Sequence, residues 1–298
     1  MLGLELDDTR VIAVCVDDQG VVLARAQADA GGDLGAAAVK ALEEVQASIA
    51  ASGPRSLGVA AINPESAVIG PVVSQLALRF GGSGNRNGAV PSGTAAVAAE
   101  AWVGVARGVK DVVFFAVDQH TTGGVLRDGV AITGARGRAV SVAWLSLNPV
   151  EREDYRKTGC LEAEVAAAGI VRRMIWRIKA GDRSRVQDVV KDDLASITVE
   201  HILAAARDGD GVSISVVRDT AKYLGMAAAN LVVIADPEML VLGGIMASAA
   251  DLLIEPIRTE VARRLPKAMM DALKIETAVL GAAGAAIGAA RLAAAAVP

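Results

Sequence analysis

At 298 residues the chain is long enough for two packed domains, and its 53% hydrophobic content excludes a disordered protein. A net charge of −4 argues against a nucleic-acid groove as the main surface, because phosphate binding needs a positive field. Aromatic residues are only 3%, so Ala, Val, Leu and Ile have to fill the core. The elements begin with three short strands, at residues 2–6, 11–16 and 21–24, the last two joined by the turn Asp17-Asp18-Gln19-Gly20. Residues 34–52 read as a helix with Ala38, Leu42, Val45 and Ile49 on one stripe. A strand at 56–62 and a Gly- and Asn-rich loop at 81–88 lead to a helix from about Ser92 to Arg107, with Ser92 as its N-cap.

A second round follows the same plan. Residues 111–117 form a buried strand, and Thr122-Gly-Gly-Val-Leu leads into the turn Arg127-Asp128-Gly129. Val171, Ile175 and Ile178 then mark a helix backed by Arg172, Arg173, Arg177 and Lys179, a face that reads as solvated or as a dock for an anionic partner. A helix near 213–234 precedes the strand Met239–Leu242 and Gly243-Gly244; a strand at 275–280 and an Ala-rich helix from about Ala282 to Ala296 follow. A meander followed by alternating strands and helices, repeated once, is the pattern of a duplicated α/β unit with a cleft between the copies.

The two cysteines, Cys15 and Cys160, make neither a disulfide framework nor a Cys-x-x-Cys metal pair. The first residues meet acid within five positions and carry no basic segment, so they do not read as a signal peptide. The apolar stretches at 231–242 and 277–298 are interrupted by charge or weakened by Ala and Gly, and read as buried core; the expected address is the cytoplasm.

Three segments carry a resemblance to the ROK family of bacterial glucokinases, other sugar kinases and sugar-responsive repressors. They are Ala95–Gly108, Gly159-Cys160-Leu161-Glu162, and Asp236-Pro-Glu-Met-Leu-Val-Leu-Gly-Gly with the closing Leu280–Ala290. The resemblance implies two actin-like (ribonuclease H-like, ASKHA) domains with mixed sheets, flanking helices and a central cleft. It places the domains at 1–108 and 109–282, with a closing helix at 283–298 returning to the first. It also implies a homodimer, and no DNA-binding domain is expected ahead of the first strand.

Within that resemblance the catalytic motifs are degenerate. The first phosphate loop, Asp-x-Gly-Gly-Thr in the family, is Glu5-Leu6-Asp7-Asp8-Thr9, with carboxylates where glycines let phosphate approach the backbone. The second loop falls on Asp118-Gln119-His120-Thr121-Thr122-Gly123-Gly124 and keeps two glycines. The family's general base falls on Ser92, which has no useful basicity near neutral pH. Its sugar-binding Glu and His fall on Ser141 and Trp144, and of its zinc cysteines only Cys160 remains.

These substitutions lead to two expectations. One is a non-catalytic ligand-binding, regulatory or scaffolding protein without cofactor or structural zinc, with Glu5, Asp7, Asp8, Thr9, Asp118 and His120 as turn residues. The other is an enzyme with a rebuilt acidic site, using ATP and Mg²⁺ or a divalent cation held by Asp7, Asp8 and Asp118. Gly243 and Gly244 either let a nucleotide or sugar approach the backbone or serve a tight turn. Trp144 either stacks on a ligand or fills the vacated sugar site.

Overall fold

The computed structural model describes residues 1–49, 56–80 and 88–295, so the Gly- and Asn-rich loop lies outside the described residues up to 87. The chain runs β1 (Leu2–Leu6), β2 (Arg10–Val16), β3 (Val22–Asp29), α1 (Leu34–Ala47), β4 (Leu57–Ala61), α2 (Ile69–Phe80), β5 (Val90–Pro91) and α3 (Ser92–Trp102). It continues through β6 (Val112–Val117), β7 (Thr121–Arg127), β8 (Val130–Ala131), α4 (Glu153–Thr158), α5 (Cys160–Val165), α6 (Ala167–Lys179), α7 (Arg185–Val189) and α8 (Val199–Arg207). The last elements are α9 (Gly211–Ala235), β9 (Met239–Gly244), α10 (Ile245–Ser248), α11 (Ala250–Ala262), α12 (Lys267–Ala272), β10 (Lys274–Thr277) and α13 (Gly284–Ala295). Two mixed five-stranded sheets result, ordered β3-β2-β1-β4-β5 and β10-β9-β6-β7-β8. Two compact units divide the residues: Met1–Phe114 with Thr122–Val140 and Ala278–Pro298, and Phe115–Thr121 with Ser141–Thr277.

In the first unit β1 is the central strand, antiparallel to β2 and parallel to β4, and all five of its residues are buried. One face of the sheet packs Leu2, Leu4, Leu6, Val11 and Val59 against Leu42 and Val45 of α1 and Leu76 of α2. The other face is covered by α13, and glycine makes this possible. Gly3 and Gly58 are register partners across β1 and β4. A Cβ on Gly3 would fall on the carbonyl oxygen of Ala286, and one on Gly58 on that of Ala289. A Cβ on Gly288 would likewise fall on the carbonyl of Ala95 in α3. The small-residue tail is therefore a helix laid at backbone contact on a glycine floor, and its stabilisation comes from many close dispersion contacts rather than large side chains.

Glu100 of α3 is 1% exposed and holds this arrangement together. Its Oε2 accepts from Val105 N at 2.9 Å, and its Oε1 accepts from Val279 N and Leu280 N at 3.0 and 3.1 Å. This explains two boundaries. The helix expected to reach Arg107 stops at Trp102 because residue 105 turns back onto the carboxylate, and the last strand stops at Thr277 because 279 and 280 donate to Glu100 instead of a sheet.

The second unit is mostly helical around the 25-residue α9. In α6 the buried stripe is Ile170, Met174 and Ile178, with Val171 and Ile175 only half-buried, so the helix is rotated from the face that Val171 and Ile175 suggest. Asp210 caps α9 and ties it to α7: Oδ2 accepts from Ser213 N, Ser213 Oγ and Ser184 Oγ at 2.7–2.8 Å, and Oδ1 from Arg185 N at 3.0 Å. Burial pushes its pKa up, but these donors favour the charged form and leave it below the ordinary carboxylate value. A lowered folded-state pKa stabilises the fold above the unfolded carboxylate pKa of about 3.9, and that stability is lost as pH falls through the folded pKa. Asp210→Asn should therefore cost roughly 1–2 kcal/mol at neutral pH. Its melting temperature should fall less steeply than the wild type's between pH 5 and 3; parallel curves would remove Asp210 from the acid transition. Among the described residues no helix is long and apolar enough to cross a membrane.

Candidate functional site

In the first unit the segment Glu5–Thr9 is the end of β1 and its tight hairpin into β2. Glu5 is buried on the strand, flanked by Ile12 and Ala60 in register. Asp7 N donates to Arg10 O at 3.0 Å, and Asp7 Oδ1 accepts from Thr9 N at 3.2 Å. The Asp7 carboxylate thus organises its own turn, with Arg10 Nε at 3.9 Å from its other oxygen. Asp8 and Thr9 are exposed at the tip.

Ser92 does not cap α3. Pro91 holds the N-cap position without any side-chain bond, and Ser92 is the first helical residue. It is 3% exposed, Thr94 is fully buried, and neither hydroxyl has a hydrogen-bond partner among the described residues. Close packing accounts for this: a Cβ on Gly93 would fall on the Gly123 backbone, and one on Gly124 on the Gly93 carbonyl. Gly93 and Gly124 are therefore needed for β7 to meet α3, independently of any phosphate.

The second unit holds Asp118 and His120 in the turn between β6 and β7. Asp118 N donates to His120 O, and Asp118 O accepts from Ala167 N, both at 2.9 Å. His120 Nδ1 lies 3.2 Å from Glu162 Oε1, and Glu162 Oε2 accepts from Thr121 N and Thr121 Oγ1 at 2.8 and 3.0 Å. Glu162 is the polar anchor of this turn. In the sequence it marks only the end of a motif, because its partners lie about forty residues upstream. Gly244 has φ +61°, and a Cβ there would fall on Val117 O, so it serves the tight strand-to-helix turn into α10; Gly243 is buried beside it in β9. Donors of the kind a divalent cation takes are present in each unit: Asp7 and Asp8 in the first, His120 and Glu162 in the second.

Ser141 precedes a single 3-10 turn, Val142–Trp144, that Trp144 ends, and both are exposed. Trp144 is 58% exposed. Gly159, at φ +93°, is required because a side chain would strike Ala143 O. Cys160 is buried against Tyr155 and Ala163.

The basic face of α6 is also not simply solvated. Arg173 binds Glu164 Oε2 and Thr220 Oγ1, both at 2.9 Å, and Arg172 pairs with Asp154 at 2.8 Å. Arg177 meets Asp182 and Ser215, leaving Lys179 exposed. Buried Glu164 also receives Arg152 at 3.1 Å and the Tyr155 hydroxyl. Arg152 stacks over Tyr155 and over Trp176, 5.0 Å from each ring centre. A cavity of about 570 Å³ opens beside this network, with Asn148, Arg173, Lys222, Tyr223 and Arg264 in its lining.

The comparison with known families decides the affiliation. A model described as the ROK family matches residues 93–296. The chain belongs to the ROK family. Among curated relatives of this ROK protein, the glucokinase of Halalkalibacterium halodurans is 30% identical over 185 residues, 61% of this chain and 56% of the relative. The N-acetylglucosamine repressor of Escherichia coli O157:H7 is 26% identical over 178 residues, 59% of this chain and 42% of the relative. The matched stretches thus span about half the length of these relatives. Among solved structures, the ROK glucokinase of Streptomyces griseus with glucose and AMPPNP superposes with a TM-score of 0.82 at 20% identity, covering 99% of both chains. A ROK transcriptional regulator described as a homologue of E. coli MLC gives a TM-score of 0.79 at 21% identity, covering 99% of this chain and 78% of that one. These likenesses bear out the expected α/β fold with two actin-like domains.

Proposed function

We propose that this ROK protein binds a small ligand without phosphorylating it, and acts as a regulatory or scaffolding member of a family whose relatives include sugar kinases and sugar-responsive repressors. The observation that carries this reading is Ser92. At the position that the resemblance gives to the general base stands a buried hydroxyl with no partner among the described residues to take its proton. The Asp7 turn supports it, since a carboxylate occupies the place that the resemblance gives to a phosphate-loop glycine. Calorimetry with ATP-Mg²⁺ and a panel of neutral sugars, run beside a coupled phosphorylation assay, is the test. Sugar binding without turnover is the expected result; turnover of any sugar by the unaltered protein overturns it.

A second reading, an enzyme with a rebuilt site, draws on His120. A carboxylate at 3.2 Å from Nδ1 is the arrangement that orients an imidazole as a base. Should turnover appear, its abolition in His120→Ala would assign it to that residue.

A further inference from the structure

β3 forms one edge of the first sheet, and among the described residues no strand pairs with its outer side. Ala26, Ala28 and Ala30 are buried on one face of the strand, while Leu23, Arg25, Gln27 and Asp29 are exposed on the other. The hydrogen-bond phase follows from the register. Arg10 pairs with Asp29, and Ala30 N donates to Thr9 O at 3.0 Å, so from Ala24 to Ala30 the even-numbered residues bond to β2. The N–H and C=O groups of Arg25, Gln27 and Asp29 therefore point outward, where no strand of the described residues pairs with them.

Natural sheets blunt such edges with proline, lysine, a bulge or a very short strand. β3 has eight residues with neither proline nor lysine, and its bulge, the extra residue Leu23 between the pairs Cys15–Ala24 and Val16–Val22, lies near its start and leaves 24–29 in regular register. Arg25 forms no ion pair among the described residues, and Asp29 spends one oxygen on Gly31 N.

We propose that β3 pairs antiparallel with β3 of a second copy, joining two sheets across a two-fold axis at Gln27. This register sets Arg25 opposite the partner's Asp29, twice by symmetry, and Ala26 opposite the partner's Ala28. An axis at Arg25 would oppose arginine to arginine, and one at Leu23 would leave Gln27 and Asp29 unpaired. The axis at Gln27 also falls on an outward-bonding residue, so the two copies exchange both hydrogen bonds there. The interface is independent of whether the protein turns over a substrate.

The test is the oligomeric state of the full chain by sedimentation across a concentration series. Arg25→Asp should weaken the dimer by roughly tenfold or more, because it places like charges directly opposite at two symmetric positions. Adding Asp29→Arg in the same chain should restore it. Gln27→Cys should yield a covalent dimer on oxidation or with a short thiol crosslinker. The facing Cα atoms of such a pair lie about 5.5 Å apart, and the native Cys15 and Cys160 are buried. A protein that stays monomeric up to its solubility limit overturns the proposal. So does a dimer that ignores Arg25→Asp and fails to crosslink through position 27, which would place its interface elsewhere.

Discussion

Replacing Gly288 by valine should leave little or no folded protein. The valine side chain would have to begin inside the carbonyl of Ala95, a backbone group of α3 with no room to yield, because α13 is also pressed on Gly3 and Gly58. Moving either helix uncovers β1 and β4, so the cost should exceed about 4 kcal/mol, against a total stability of about 5–15 kcal/mol for a typical protein. The comparison is Gly70→Ala in α2, where a Cβ meets nothing within 4 Å. That change should be neutral or stabilise by up to about 1 kcal/mol. Soluble yield and urea unfolding of the two variants give the answer. A Gly288→Val protein within about 1 kcal/mol of wild type would mean that α13 does not lie where described.

Truncating Glu164 to alanine should cost about 3–5 kcal/mol, since it leaves the mostly buried Arg173 without its carboxylate partner and takes one of two carboxylates from Arg152, which keeps Asp154. An exposed pair in the same region sets the scale: Glu151 and Arg156 are 2.7 Å apart but about two-thirds exposed, so Glu151→Ala should change stability by less than about 1 kcal/mol. A second readout separates loss of the network from general loosening. Burial first, and then the hydrogen bond to Glu164, push the Tyr155 hydroxyl up to about 12. In Glu164→Ala its alkaline titration should move back towards the ordinary phenol range while the chain remains folded. Equal stability of the Glu164 and Glu151 variants would show that the Arg152–Glu164–Arg173 cluster is not a structural keystone.

Much of the fold is legible in the sequence because hydrophobic periodicity reports burial. The opening meander, the long helix before Met239 and the Ala-rich closing helix could be placed within a few residues. Residues whose environment is made by distant partners could not be read in this way. Arg172, Arg173 and Arg177 look like a solvated face when only α6 is considered, yet Asp154, Glu164 and Asp182 claim all three. Ser92 has the sequence signature of a cap, but the close approach of Gly93 to Gly123 buries it one position inside the helix. Glycine is ambiguous for a further reason: the lack of a side chain suits phosphate approach and helix packing equally. At Gly124, Gly159 and Gly244 only the neighbouring backbone shows which steric demand is being met.

The glycine floor also imposes an order of events on biosynthesis. Residues 1–114 carry the whole first sheet, but the helix that covers its Gly3–Gly58 face is encoded at 284–295. While the intervening residues are being made, Ile12, Val14 and Ala60 have α3 beside them but lack the cover of α13, and Val279 and Leu280 have not yet reached Glu100. Residues 141–277 face no such wait, because the partners of Glu164 and Asp210 lie within their own stretch. The first half of the chain to leave the ribosome is thus the last to be completed, and until then its apolar face is open to chaperones or to a neighbouring nascent chain.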